Sequence, residues 1–296
     1  YTSFDETVYN IDNVPTTNKA LMDSVLLAIY DWSCNILLEE AEINAERGVI
    51  EEEWRSRNDA NSRMLESILP VIYDEYQYEQ TPIGKMEVVR NFKPEVLREY
   101  YKKWYRPDQQ GIVIVGDFDV ADMEAKVKKL FGTVIMPANA AERTYPKVSD
   151  NEKPIYAYFT DKELQYPMAM VMFKMEKIPF EMRNTMEGYM QTSIVENLVS
   201  TMINNRLNDF SKKAECNYVY AGVSFGDFLV SKTKAALDIT IIAKDNVHKA
   251  YTDALKIVAQ ACKTGFMESE LVRARDEMLA NYEKAYNERN NTKTEN

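Results

Sequence analysis

A stretch without hydrophobic periodicity, residues 137–153, divides this chain: Pro137, Pro146 and Pro154 bracket mainly polar residues, the pattern of a linker. Strands and helices gather in blocks on either side of it, without strict alternation of strand and helix. That pattern favours α+β domains, each a mostly antiparallel sheet with helices packed on one face, over an alternating α/β architecture. At 296 residues, with 45% hydrophobic content, the chain has material for about two cores. The expected organisation is a first domain over 1–136, a linker over 137–153 and a second domain over 154–296.

Hydrophobic period places the elements within this frame. Residues 1–11 alternate and are rich in β-formers, predicting a strand or hairpin arm, and Pro15 closes it. Leu21, Val25, Leu26, Ile29 and Trp32 recur at helical spacing, so a helix is expected from Asn18 to Cys34. A second helix is expected from about Glu39 to Glu66, and a tyrosine-rich connection from Tyr73 to Val89. Pro94 opens a helix that ends near Tyr105, Gly111–Asp117 is a compact apolar strand, and Val120–Phe131 is a helix stopped at Gly132. Beyond the linker, strands are expected at Ile155–Phe159 and Met168–Phe173, then a long helix over 180–212. A hairpin of Tyr218–Ser224 with Leu229–Ala243 follows, and two helices over 245–264 and 267–289 complete the chain.

Several functions are disfavoured on composition. The net charge of −11, with no Lys/Arg stripe to reverse it locally, argues against nucleic acid as a partner. No apolar run approaches the roughly 20 residues that span a bilayer. Gly116-Asp117 follows a strand but lacks the surrounding glycines of a phosphate loop. Cys34, Cys216 and Cys262 are widely spaced and read as small hydrophobes rather than a disulfide framework. His248 is the only histidine and lies at the polar start of a helix, so no site needing two imidazoles can be assembled from this chain. Met168, Met170 and Met172 read as a core strand rather than a thioether site. The chain opens at Tyr1 inside an apparent strand and closes in a polar run over 290–296, and it reads as an internal piece of something longer.

Chemistry enters with Glu46 and Glu53, seven residues apart on the second predicted helix. Seven residues is close to two turns, which puts both carboxylates on one face, separated by about 10 Å along the axis. Such a pair beside Val49 and Ile50 fits a metal-ligand helix with a supporting acid, and equally an ordinary solvated acidic face. A weak internal repeat bears on the choice. At an offset of 228 residues, Glu42-Ile43 pairs with Glu270-Leu271 and Arg47 with Arg275, while Glu46 falls on Ala274 and Glu53 on Asn281. Both carboxylates are thus missing together from the second copy, which favours chemistry in the first copy only.

The stretch Glu46-Arg47-Gly48-Val49-Ile50-Glu51-Glu52-Glu53-Trp54-Arg55 resembles the downstream motif of the pitrilysin/insulinase family of inverted zincins, whose H-x-x-E-H motif supplies two histidine ligands and a glutamate base. Further matches keep the family's order: Tyr1–Tyr9, Pro82-Ile83-Gly84, Tyr105-Arg106-Pro107, Val113–Asp117 and Asn204-Asn205-Arg206-Leu207. The resemblance implies two related lobes of the LuxS/metallohydrolase-like type, both truncated here, the second catalytically degenerate. It implies Glu53 as a zinc ligand and Glu46 as the acid that orients a histidine of the motif. It also implies Tyr1, Thr2 and Ser3 as the sheet edge on which substrate backbone is bound. The chain itself contains no H-x-x-E-H, so the general base is expected outside it and no catalytic residue within it.

By this resemblance the longer protein is a zinc-dependent metalloendopeptidase acting on peptides or unfolded segments, and the piece alone is inactive. Its cofactor is zinc, incomplete in this piece. Its partners are a peptide substrate and the remaining lobes of the same polypeptide or a homologous subunit, and the bacterial periplasm or cell envelope is the favoured compartment. The alternative is a non-catalytic, substrate-gripping partner of an active subunit. An uncovered apolar patch and an unpaired sheet edge also predict self-association of the piece.

Overall fold

The computed structural model describes residues 1–292; the last four residues of the polar run, 293–296, lie outside the described residues. In chain order the elements are α1 (Lys19–Cys34), α2 (Glu40–Ser56), α3 (Ala60–Ile72), α4 (Met86–Asn91), α5 (Pro94–Trp104) and α6 (Val120–Phe131), followed by β1 (Met168–Glu176). Then come α7 (Met186–Tyr189), α8 (Glu196–Ser211), β2 (Tyr218–Asp227), β3 (Lys234–Ala243), α9 (Val247–Thr264) and α10 (Glu268–Glu288). They form two compact units, one of residues 1–58 and 80–144, the other of residues 59–79 and 145–291.

The first unit is helical. Asn18 and Asp119 cap α1 and α6 by accepting from the amides of Leu21 and Asp122, at 3.1 and 2.8 Å. Tyr30 joins the two helices, meeting the Phe131 ring edge-on at 5.5 Å and sharing a 3.0 Å hydroxyl contact with Thr133. The expected single helix over 39–66 is two helices. Asp59 accepts from the Ser62 amide at 2.8 Å and starts α3 anew, a cap that competes with continued helix.

Two expected strands are absent among the described residues. Gly111–Asp117 and Ile155–Phe159 join no ladder, because a β-prone run becomes a strand only where a partner satisfies its backbone. The expected arm at 1–11 is reduced to one antiparallel bridge, Thr2 with Thr7. Val113, Tyr156 and Tyr158 are consequently left almost fully exposed. Apolar surface of this kind should drive the isolated chain to self-associate. Light scattering that finds a clean monomer, with one cooperative thermal transition, would contradict that expectation.

The second unit carries an antiparallel sheet in the order β1-β3-β2, with Val171 and Val223 both opposite Ile239. Ile203 and Leu207 of α8 and Ala250, Ala254 and Val258 of α9 pack with Ile239 and Ile241 into one buried cluster. This is the one-sided arrangement of helices on an antiparallel sheet. β3 starts at Lys234 rather than Leu229, because residues 228–233 form a turn: Leu229 takes φ 49° and the Ser231 amide donates to the Phe228 carbonyl at 3.0 Å.

The tyrosine-rich segment after α3 is no loose connection. Tyr73 and Tyr78 are buried, and their hydroxyls each accept a 3.2 Å hydrogen bond, from the Val230 and Lys232 amides respectively. Arg63 of α3 binds Asp161 and Glu163 at 2.8 and 2.7 Å. Residues 59–79 therefore fold with chain beyond the linker.

The expected long helix over 180–212 is interrupted. Thr185 caps α7, and a π-helical segment at Met190–Val195 precedes α8. Such segments are rare and recur at functional sites. Asn246 caps α9, and Gly265 ends it at φ 70°, a conformation that favours glycine. In α10 the Glu270 carboxylate reaches back to accept from the Met267 amide at 2.8 Å.

Arg206 of α8 grips Glu270 through two hydrogen bonds, at 2.6 and 2.7 Å. That guanidinium holds the Glu270 carboxyl down to about 2. A carboxylate depressed in the folded state contributes stability above its unfolded pKa of about 4.3, which is lost as pH falls through the folded value. Acid titration of the second unit should therefore lose stability between roughly pH 4.3 and 2. Glu270→Gln should flatten that dependence; an unaltered acid profile would contradict the ion pair's role.

A candidate half-site on the second helix

α2 has one buried stripe, and its partners fix the helix. Ile43 is buried and Trp54 half-buried along it, while Arg47 leaves the stripe to donate to the Phe92 carbonyl at 2.7 Å and to the Val89 carbonyl. The Arg47 guanidinium also stacks over the Phe92 ring, 4.0 Å from its centroid. Glu51 meets Arg90 at 2.6 Å, which holds the Glu51 carboxyl below the usual range. These contacts fasten α2 to the helix pair that follows it in the same unit.

Glu46 and Glu53 lie roughly 70° around the helix from that stripe, on one shared edge, at 100° per residue. Glu46 is exposed and makes no hydrogen bond or ion pair among the described residues. Glu53 is half-buried and pairs with Arg57 at 2.9 Å. The two carboxylates thus share the edge that their spacing predicts.

Tyr1, Thr2 and Ser3 fold onto their own hairpin. The Tyr1 hydroxyl donates to Glu6 at 3.2 Å, the Thr2 and Thr7 hydroxyls meet at 3.3 Å, and the Ser3 amide donates to the Glu6 carbonyl at 2.8 Å. Tyr1 exchanges backbone hydrogen bonds with Val8, which leaves the Thr2 N–H and carbonyl on the outer side of the hairpin. No hydrogen bond or ion pair joins these three residues to Glu46 or Glu53 among the described residues.

A zinc site does not fit this chain's own residues. Among the described residues no group of three or more His, Cys, Asp or Glu is placed to hold a metal. His248 is exposed on α9. Glu53 offers one oxygen donor, whereas a catalytic zinc needs about three protein ligands and an open position. Sequence reasoning missed Arg57 as the partner of Glu53 and Arg47 as the residue that fastens α2. Arg57, four residues after Glu53, could have been found from helical spacing; Arg47's carbonyl partners had no signal in the sequence.

The molecule is an α+β protein in which a helical unit presents paired carboxylates and a second unit carries a small antiparallel sheet. Residues 91–278 match the family described as the peptidase M16 inactive domain. The chain belongs to the peptidase M16 family. The Probable zinc protease PqqL of Escherichia coli is 28% identical over 274 residues, which cover 92% of this chain and 29% of that protein. The crystal structure of the periplasmic protease PqqL from Escherichia coli superposes on 95% of this chain, and 31% of its own, with a TM-score of 0.79 at 22% identity. The ferredoxin protease FusC, in complex with Arabidopsis ferredoxin, covers 89% of this chain and 29% of its own with a TM-score of 0.72 at 19% identity. The chain spans under a third of each of these relatives. No helix of the described residues is long and apolar enough to cross a membrane.

Proposed function

We propose that this chain is part of a zinc-dependent endopeptidase acting on peptides or unfolded protein segments, and is inactive by itself. Residues 1–136 are the remainder of the zinc-site lobe, although 59–79 fold with the second unit, 137–153 are the linker and 154–296 a second, catalytically degenerate lobe of the same LuxS/metallohydrolase-like type. Glu53 is one metal ligand and Glu46 the acid beside it; the remaining donors and the general base come from outside the chain. One observation carries this reading: Glu46 and Glu53 share an edge of α2, while the matching positions of α10 hold Ala274 and Asn281.

The outer side of Thr2 offers an unpaired N–H and carbonyl, the requirement for adding a substrate strand. A relative named as a probable zinc protease supports zinc as the cofactor, and a ferredoxin protease seen in complex with ferredoxin supports a polypeptide as the substrate. The name of the periplasmic relative supports export to the periplasm. A non-catalytic partner role is the second reading, favoured by the match to an inactive domain.

Glu46→Gln in the full-length protein tests the first. Removing a group that orients a ligand costs about 10- to 100-fold in metal affinity or activity. Unchanged zinc affinity and unchanged peptide hydrolysis would remove Glu46 from the site.

A further inference from the structure

Tyr9 and Tyr105 stand 96 residues apart in the chain, and their hydroxyls meet at 2.7 Å. The contact lies within the first unit and ties the N-terminal arm to the end of α5, whose C-cap is Tyr105. Other rings surround it. The Tyr9 ring lies 5.7 Å from Trp32 of α1 and meets Tyr105 edge-on at 6.3 Å, while Tyr105 packs against Tyr101 at 4.4 Å. Burial, and then the contact with Tyr9, push the Tyr105 phenol above its ordinary value, so it keeps its proton.

α5 also holds the chain that leads into α2. The Tyr101 hydroxyl donates to the Trp32 carbonyl at 2.9 Å and accepts from the Ile36 amide at 3.3 Å. Arg98 donates to the Leu38 carbonyl at 3.0 Å, where Leu38 takes φ 49°, a costly conformation for a bulky residue. Arg98, Tyr101 and Tyr105 follow one another at helical spacing, so one side of a single short helix grips both segments. The arm and the entrance to α2 are thereby referred to the same element.

The arm has a second tie. The Arg143 guanidinium donates to the Asp5 carbonyl at 2.9 Å and to the Gln109 side-chain oxygen at 3.2 Å. Arg143 sits in the stretch read as a linker, yet folds with the first unit. Asp5 lies at the tip of the hairpin and Tyr9 beyond its pairing, so the two ties bracket Thr7 and Val8, the partners of Thr2 and Tyr1. A two-stranded hairpin is marginally stable by itself in water. An edge that adds an extended peptide also needs a fixed register, because a slip of one residue turns every side chain to the opposite face.

We infer that Tyr105 is a positioning residue: acting through Tyr9, with Arg143 as the second tie, it fixes the register in which the outer edge of Thr2 meets an extended peptide. The inference rests on the reading of Thr2 as the substrate edge. Tyr105 is assigned no contact with peptide or metal; its effect passes through the arm.

The test is Tyr105→Phe and Tyr9→Phe, singly and together, in the full-length protein. Each removes one hydroxyl and keeps its ring. Hydrogen exchange measured by mass spectrometry should speed up over residues 1–11 and stay unchanged in α5. The KM for an unfolded peptide should rise about 2- to 10-fold, the worth of one hydrogen bond, at unchanged kcat and zinc content. The double variant should be no worse than either single one, because the two hydroxyls form one contact. If the protein cleaves nothing, the Kd of the same peptide takes the place of KM. Arm exchange and KM both unmoved overturn the inference. Faster arm exchange with KM unmoved leaves the tie standing and overturns the reading of Thr2 as the substrate edge, and the positioning role with it. A fall in kcat or in zinc content marks the pair as general scaffold and overturns the role as well. Should Tyr105→Phe misfold, Tyr9→Phe decides on the same readouts, since the Tyr9 side chain is exposed.

Discussion

Glu53→Gln in the full-length protein is expected to lower zinc affinity by more than about 100-fold, beyond the 10- to 100-fold range for supporting residues. Peptide hydrolysis should fall with it. The substitution changes charge and donor strength while keeping shape, so its effect on folding should be small. Among the described residues the only ion pair it breaks is with Arg57, at 2.9 Å on a largely exposed helix turn. Pairs of that kind contribute little to stability. A large loss of zinc with an unmoved thermal transition is thus the signature of a ligand. A parallel fall in both would mark Glu53 as structural, and unchanged zinc would remove it from the site.

Leu207→Ala should have the largest effect on stability. Leu207 is fully buried in the cluster joining α8 and α9 to the sheet, against neighbours that include Ile239 and Ile241. Truncating a leucine in such a place removes its transfer free energy and leaves a cavity, at a cost of about 2–5 kcal/mol. Leu279→Ala on α10, where the side chain is exposed, should stay within about 0.5 kcal/mol. Urea unfolding followed by a probe in the second unit would measure both. A cost below about 1 kcal/mol at Leu207 would contradict the core described here.

The helices were legible because their apolar spacing and caps are local properties: α1, α5, α6, α9 and α10 lie within two residues of their sequence-based bounds. The break before α3 was written in Asp59 but outweighed by the helical pattern on either side. Strands were legible only where partners exist. β1, β2 and β3 carry the same β-prone composition as residues 111–117 and 155–159, and only a neighbouring ladder separates them. Nor could periodicity reveal that Tyr73 and Tyr78 are buried, since that depends on hydroxyl partners more than 150 residues away.

At the site, seven-residue spacing sufficed to put Glu46 and Glu53 on one edge of α2. It could not supply their surroundings, because Arg47 and Glu51 act through groups some 40 residues distant.

The central claim is that this chain carries one ligand of a zinc site completed elsewhere in a longer protease. Zinc stoichiometry of the full-length protein, measured beside its hydrolysis of an unfolded protein substrate, tests that most directly. The account predicts one tightly held zinc per chain and hydrolysis that stops on chelation and returns with zinc. A protein that folds without zinc, takes none up and cleaves nothing would contradict it and leave the non-catalytic partner role in its place.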